Sequence, residues 1–118
     1  VTIDFLGVKK DYTPDFYNKA IYKIAKKAKI EVLNISTGRN TSTEDKFPKR
    51  ILTETFDSGF ATSLMAKDLT LYVDSAQKIG SPYFLSETLL NGIWLKMKDK
   101  YPESDFTKIY PYIKNYGI

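Results

Sequence analysis

Ala61-Thr62-Ser63-Leu64-Met65-Ala66-Lys67-Asp68-Leu69-Thr70-Leu71-Tyr72-Val73-Asp74-Ser75-Ala76-Gln77-Lys78-Ile79, followed by Gly80-Ser81-Pro82, is the stretch that decides the fold. On a helical wheel at about 100° per residue, Ala61, Leu64, Met65, Leu69, Tyr72, Val73 and Ala76 form one apolar stripe. Gly80 and Pro82 then supply the chemistry that stops a helix. Asp68 falls inside the stripe, between Leu64 and Tyr72 on successive turns, with Lys67 at its margin. A buried carboxylate without partners is costly, so Asp68 is expected to be paired. Two readings stay open: a structural bond to a neighbouring helix end or lysine, or a charge held at a cleft edge for a ligand.

Working outward, a second helix is expected from Tyr83 to Lys100, with Phe84, Leu85, Leu89, Ile93, Trp94 and Met97 on its inner side and Pro102 ending it. Ser104-Asp105-Phe106 opens a last short helix that bends or stops near Pro111. Upstream, Thr13-Pro14-Asp15 reads as a helix start, with Thr13 as N-cap and Pro14 at the first helical position. That helix runs to about Leu33. Its apolar residues Phe16, Tyr17, Ala20, Ile21, Ile24, Ala25 and Ala28 lie on one side. Ser36 to Thr43 is a polar loop. Thr43 to Phe47 forms at most one turn, ended or redirected by Pro48, and Lys49 to Glu54 is a short helix. Residues 1 to 10 are ambiguous, and no stretch alternates with period two for long enough to give a confident strand. The expectation is an all-α fold: one compact multi-helix domain, 1–118, with about five helices and short connections.

A chain of 118 residues has room for one domain with a real core. Hydrophobic residues at 42% and charged residues at 27% give a globular balance. There is no cysteine and no histidine, which removes zinc-finger frameworks, disulfide scaffolds, thiol nucleophiles and Ser-His-Asp triads together. No metal site is expected. The cysteine-free composition fits a reducing cytoplasm, and no apolar run approaches the roughly 20 residues of a membrane span. The net charge is +4, but Arg39 and Arg50 are the only arginines among 18 basic residues. Lys19, Lys23, Lys26, Lys27 and Lys29 cluster on the first helix. They read either as a basic face for anionic lipid or nucleic acid, or as the solvated side of a core-facing helix. The second reading is favoured because burial alone requires the pattern. Neither nucleic acid nor membrane is therefore expected as a partner. Six glycines scattered at 7, 38, 59, 80, 92 and 117 make no G-x-G-x-x-G fingerprint. Val1-Thr2-Ile3 lacks an initiating methionine, and a processed chain or a piece of a longer protein is expected.

Three segments together carry a resemblance: Val32-Leu33-Asn34-Ile35-Ser36-Thr37-Gly38-Arg39-Asn40, Gly59-Phe60-Ala61-Thr62-Ser63-Leu64-Met65-Ala66-Lys67-Asp68-Leu69, and Asp105-Phe106-Thr107-Lys108-Ile109. In order and spacing they resemble the C-terminal helical domain of the β-hydroxyacid dehydrogenases, the group containing 3-hydroxyisobutyrate dehydrogenase and tartronate semialdehyde reductase. The fold implied is that of the C-terminal domain of 6-phosphogluconate dehydrogenase-like enzymes. The similarity covers roughly residues 29 to 118, with 1–28 diverged or truncated. The resemblance implies hydride transfer between NAD or NADP and a small 3-hydroxy acid, with a Rossmann domain supplied outside these residues. It implies that Lys67 reaches the cofactor near the nicotinamide and that Phe60 lines the nicotinamide and substrate pocket. Asp68 would hold Lys67 or another cleft group in place, while Ser36 and Gly38, in the Ser36 to Asn40 loop, would lie toward the cleft. It also implies a homo-oligomer. The family's catalytic lysine lies in a G-x-x-x-K-x-x-N motif that this chain lacks, since Gly7 is followed four places on by Asp11. No catalytic residue is therefore expected here, and the chain alone is expected to be inactive. The alternative is a stand-alone helical oligomerisation or binding module.

Overall fold

The computed structural model describes the backbone of residues 2–5, 8–11 and 14–115 and the side chains of residues 18–115. The fold is all-α, preceded by one short hairpin, and the chain forms two compact units, 1–48 and 49–118.

In the first unit, β1 (Thr2–Phe5) pairs antiparallel with β2 (Val8–Asp11), in the register Thr2↔Asp11, Ile3↔Lys10, Asp4↔Lys9 and Phe5↔Val8. The ambiguous N-terminal segment is thus extended. Four residues per strand are too few for a period-two pattern to stand out. Helix α1 (Pro14–Ile35) begins on Pro14, whose missing N–H is tolerated in the first helical turn. The N-cap assigned to Thr13, and the side chains of Phe16 and Tyr17, lie outside the described residues. Of the rest of the stripe expected to face a core, Ala20 is half-buried, and the inward placement of Ile21, Ile24, Ala25 and Ala28 is corrected. Ile21 is 62% exposed and Ile24 69%, whereas the buried Ile30 lies on the other side of the helix. An amphipathic pattern states which face is apolar, not what covers it.

After α1, Asn40 organises the polar loop. Its Oδ1 accepts from the backbone N–H groups of Ser42 (2.8 Å) and Thr43 (3.2 Å), and its own N–H donates to Thr43 Oγ1 at 3.0 Å. These reciprocal bonds have the logic of a capping box. They start a helix with the wide π register, Ser42–Ile51, which continues through Pro48. The turn expected over Thr43 to Phe47 and the first part of the short helix expected over Lys49 to Glu54 are thus one element, continuous across the Pro48 that was expected to end or redirect the chain. Proline removes a donor and crowds the preceding turn, and the wider π turn relieves that crowding.

In the second unit, α2 (Thr62–Ile79) packs on the helical run 84–100, which consists of α3 (Phe84–Leu89), a π turn (Leu90–Trp94) and α4 (Leu95–Lys100). Ala66, Val73, Leu90, Trp94 and Met97 make the buried cluster, with Leu69, Tyr83 and Phe106 packed against it. A 3-10 turn (Phe106–Lys108) and α5 (Ile109–Asn115) complete the unit. Tyr83, Leu90, Trp94 and Met97 share one sector of the wheel, and Phe84 and Leu85 fall outside it. Those two are 79% and 72% exposed, which corrects their expected inward placement.

Gly80 ends α2 at φ 72°, its N–H and that of Ser81 returning to Gln77 O (3.3 Å) and Ala76 O (2.9 Å). This is a Schellman ending, which needs the left-handed conformation. A Cβ on Gly80 would meet no atom within 4 Å, so only the backbone opposes substitution. Gly80→Ala is expected to lower stability by about 1 kcal/mol in urea denaturation, with an unchanged m-value.

Candidate functional site

The N-terminus of α2 has no side-chain cap. Its N-cap is Ala61. The first donors of the helix are instead satisfied from elsewhere in the unit: Thr62 N–H donates to Ser104 O (2.8 Å) and Ser63 N–H to Pro102 O (3.0 Å). Thr62, fully buried, also donates its hydroxyl to Ser104 O at 3.0 Å. A backbone bridge between Ala61 and Asp105, with Phe106 N–H donating to Phe60 O at 2.8 Å, extends the contact. Segment 58–63 is therefore stapled to segment 102–107.

Asp105 is the centre of that staple. Ser58 Oγ donates to both of its oxygens (2.8 and 2.9 Å), Gly59 N–H donates at 2.9 Å, and Thr107 donates through its N–H (3.0 Å) and its hydroxyl. Gly59 presents its N–H from φ 81°, a left-handed conformation that suits glycine. Partial burial on its own raises the pKa of the carboxyl. The hydrogen bonds from Thr107 and Ser58, with the two backbone N–H groups, outweigh it and hold Asp105 below its ordinary value of 3.8. Asp105 was legible in the sequence as a helix opener. Its bond to a serine 47 positions away was not.

Phe60 is half-buried, its ring edge-on to Phe106 (centroids 5.6 Å, 87°). Phe106 in turn lies 6.4 Å from Trp94, so an aromatic chain ties Phe60 to the core. Lys67 and Asp68 are brought together, with Nζ and Oδ1 3.7 Å apart and side chains 61% and 56% exposed. The burial expected for Asp68 is corrected. On α2 a buried row (Thr62, Ala66, Val73, Ala76), with half-buried Leu69 beside it, stands apart from an exposed flank that carries Leu64, Asp68, Leu71 and Tyr72. Asp68 thus needs no buried partner, and an exposed pair of this length contributes little to stability.

Ser36 and Gly38 belong to the 1–48 unit. Ser36 Oγ donates to Val32 O (2.7 Å), and Gly38 N–H donates to Leu33 O (3.0 Å), closing the end of α1. Gly38 O accepts from Asn40 Nδ2 at 2.7 Å. Among the described residues no three acidic side chains come together as a metal site, and no helix is long and apolar enough to cross a membrane.

Asp105→Ala would strand the donors of Ser58, Gly59 and Thr107, and is expected to cost about 1–3 kcal/mol. Because the folded pKa is depressed, the carboxylate's contribution is present above the unfolded value and is lost as pH falls through the folded one. Asp105→Asn should therefore flatten the loss of thermal stability between pH 5 and about pH 3 relative to the wild type. An acid limb unchanged in the variant would refute that role.

A family model described as the NAD-binding domain of NADP-dependent 3-hydroxyisobutyrate dehydrogenase matches residues 9–113. The matched span takes in most of the segment 1–28 that sequence reading set apart. The chain is 33% identical over 91 residues to the mitochondrial 3-hydroxyisobutyrate dehydrogenase of Mus musculus, and 33% and 32% identical to those of Homo sapiens and Rattus norvegicus. The aligned region is 71% of this chain and 27% of the mouse protein, so the chain spans about a quarter of the length of these curated relatives. Two of the three segments that carried the resemblance, around Phe60 and around Phe106, are the two that Asp105 staples together. By its matched span and its relatives, this chain belongs to the 3-hydroxyisobutyrate dehydrogenase NAD-binding family.

Proposed function

We propose that this chain is the C-terminal helical part of an NAD(P)-dependent 3-hydroxyacid dehydrogenase, closing the cleft and building the assembly. The observation that supports it is the family match across 9–113, together with the staple that fixes Phe60 at the start of the helix bearing Lys67. The side chains suit one wall of a nicotinamide site. Lys67 offers an exposed ammonium with only a loose partner, and Phe60 offers an aromatic ring held from behind by Phe106. When bound, the nicotinamide would accept or donate the hydride of the hydroxyl-bearing carbon of a small 3-hydroxy acid. Lys67 binds and orients, Asp68 restrains the swing of Lys67, and Phe60 excludes water from the reacting face. The proton on the substrate oxygen is handled by a lysine that this chain does not supply, so the isolated chain turns nothing over. The cysteine-free composition of the chain fits a reducing compartment such as the cytoplasm, and the mammalian relatives are named as mitochondrial.

In the complete enzyme, Lys67→Ala is expected to lower kcat/KM by about 10- to 100-fold, the worth of one charged hydrogen bond, with Tm within a degree or two of the wild type. Steady-state kinetics beside a thermal melt decide it. Full activity in the variant would remove Lys67 from the site.

A second reading, a stand-alone oligomerisation or binding module, is favoured by apolar side chains left open. Ile35 is 86% exposed, Ile79 and Phe84 79% each, and Leu85 72%. Side chains of this kind mark association surfaces when they are contiguous. Light scattering on the 118-residue chain should give at least a dimer, and Phe84→Lys with Leu85→Lys should shift it toward monomer. A monomeric wild type at high concentration would remove the oligomer from both readings.

A further inference from the structure

The 49–118 unit contains a cavity of about 350 Å³ that none of Phe60, Lys67 or Asp68 lines. Its wall is built from the end of α4, the connection that follows, the 3-10 turn and α5. Three features define its chemistry. Met97, 1% exposed, belongs both to the hydrophobic core and to the lining of the cavity. Tyr101 and Tyr112 bring two aromatic rings. Lys100 and Lys108 bring two ammonium groups from different elements, with no carboxylate in the lining and no ion pair to either lysine among the described residues. Asp105, the acidic residue beside the 3-10 turn, has its carboxylate engaged by Ser58, Gly59 and Thr107.

We propose that this cavity binds a compact aromatic carboxylate. The volume sits at the small end of ligand sites, which run from about 300 to 1,000 Å³, and so suits one or two fused rings. A sulfur and two tyrosine rings favour a flat polarizable body over an aliphatic chain. Two lysines in the lining, unpaired among the described residues and with no acidic side chain in that lining, favour a negative head group over a neutral one. The site is separate from the residues assigned to the nicotinamide, so its occupancy does not depend on the dehydrogenase reading.

The chain has two methionines, Met65 and Met97, and only Met97 lines the cavity. Chain labelled with ¹³C at the methionine methyls therefore carries one reporter in the site and one outside it. On titration with naphthalene-2-carboxylate, the Met97 signal should move saturably while Met65 stays in place. The neutral naphthalene-2-methanol should bind at least about fivefold more weakly. Lys100→Gln with Lys108→Gln should weaken the carboxylate by a similar factor and leave the alcohol unchanged. Both lysines are exposed, so the variant keeps the fold, which the unshifted Met65 signal checks. An unmoved Met97, a joint drift of both methyls, equal affinity for alcohol and carboxylate, or full affinity in the double variant would each overturn the proposal.

Discussion

Asp105 gathers four donor groups from three residues, and it does so from a segment that also lends its backbone carbonyls to the start of α2. Without the carbonyls of Pro102 and Ser104, the first N–H groups of a helix whose N-cap is alanine would have no partner within the protein. Without Asp105, the turn through Ser58 and Gly59 would lose the acceptor that holds it. One carboxylate and two carbonyls thus set where α2 begins. The start of α2 in turn sets where Phe60 and Lys67 stand.

This arrangement also limits what the end of α2 can do. A free helix N-terminus is a ready anion site, but here its leading donors are already engaged by protein. Positive charge for a ligand at this helix therefore comes from the Lys67 side chain, whose position within α2 is fixed by the buried row Thr62, Ala66, Val73 and Ala76. The aromatic series Phe60, Phe106 and Trp94 carries the same order inward to the core.

The sequence read clearly wherever local chemistry alone decided the outcome. Pro14 opened α1, Gly80 closed α2, and the long second helix stopped at Lys100 before Pro102. It read poorly where the answer depended on what lay opposite. The stripe that periodicity marks on α2 is broader than the row that meets the core, and it takes in Asp68, which is exposed. Periodicity gives no means of separating the row that meets Trp94 from the flank that meets solvent. Phe84 and Leu85 read as inward-facing for the same reason, yet both are exposed. Pro48 reads as a place where the chain ends or redirects a turn, whereas the chain adopts a wider turn and runs on. The Lys67-Asp68 pair needed only adjacency to be seen. The staple needed a contact across 47 residues, and nothing local in Ser58 or Gly59 announces it.

That separation bears on the order in which the unit assembles. The turn after Gly80 places α2 and the 84–100 run side by side after only a few residues, so their pairing closes a short loop. The Asp105 staple closes a far longer one, and the entropy of closure rises with length. The helical pair is accordingly the early partner in folding and the staple the late one. Damage to a late contact falls mainly on the unfolding rate. A weakened staple would therefore leave the helices folding at their usual speed, while the segment bearing Phe60 opened more often.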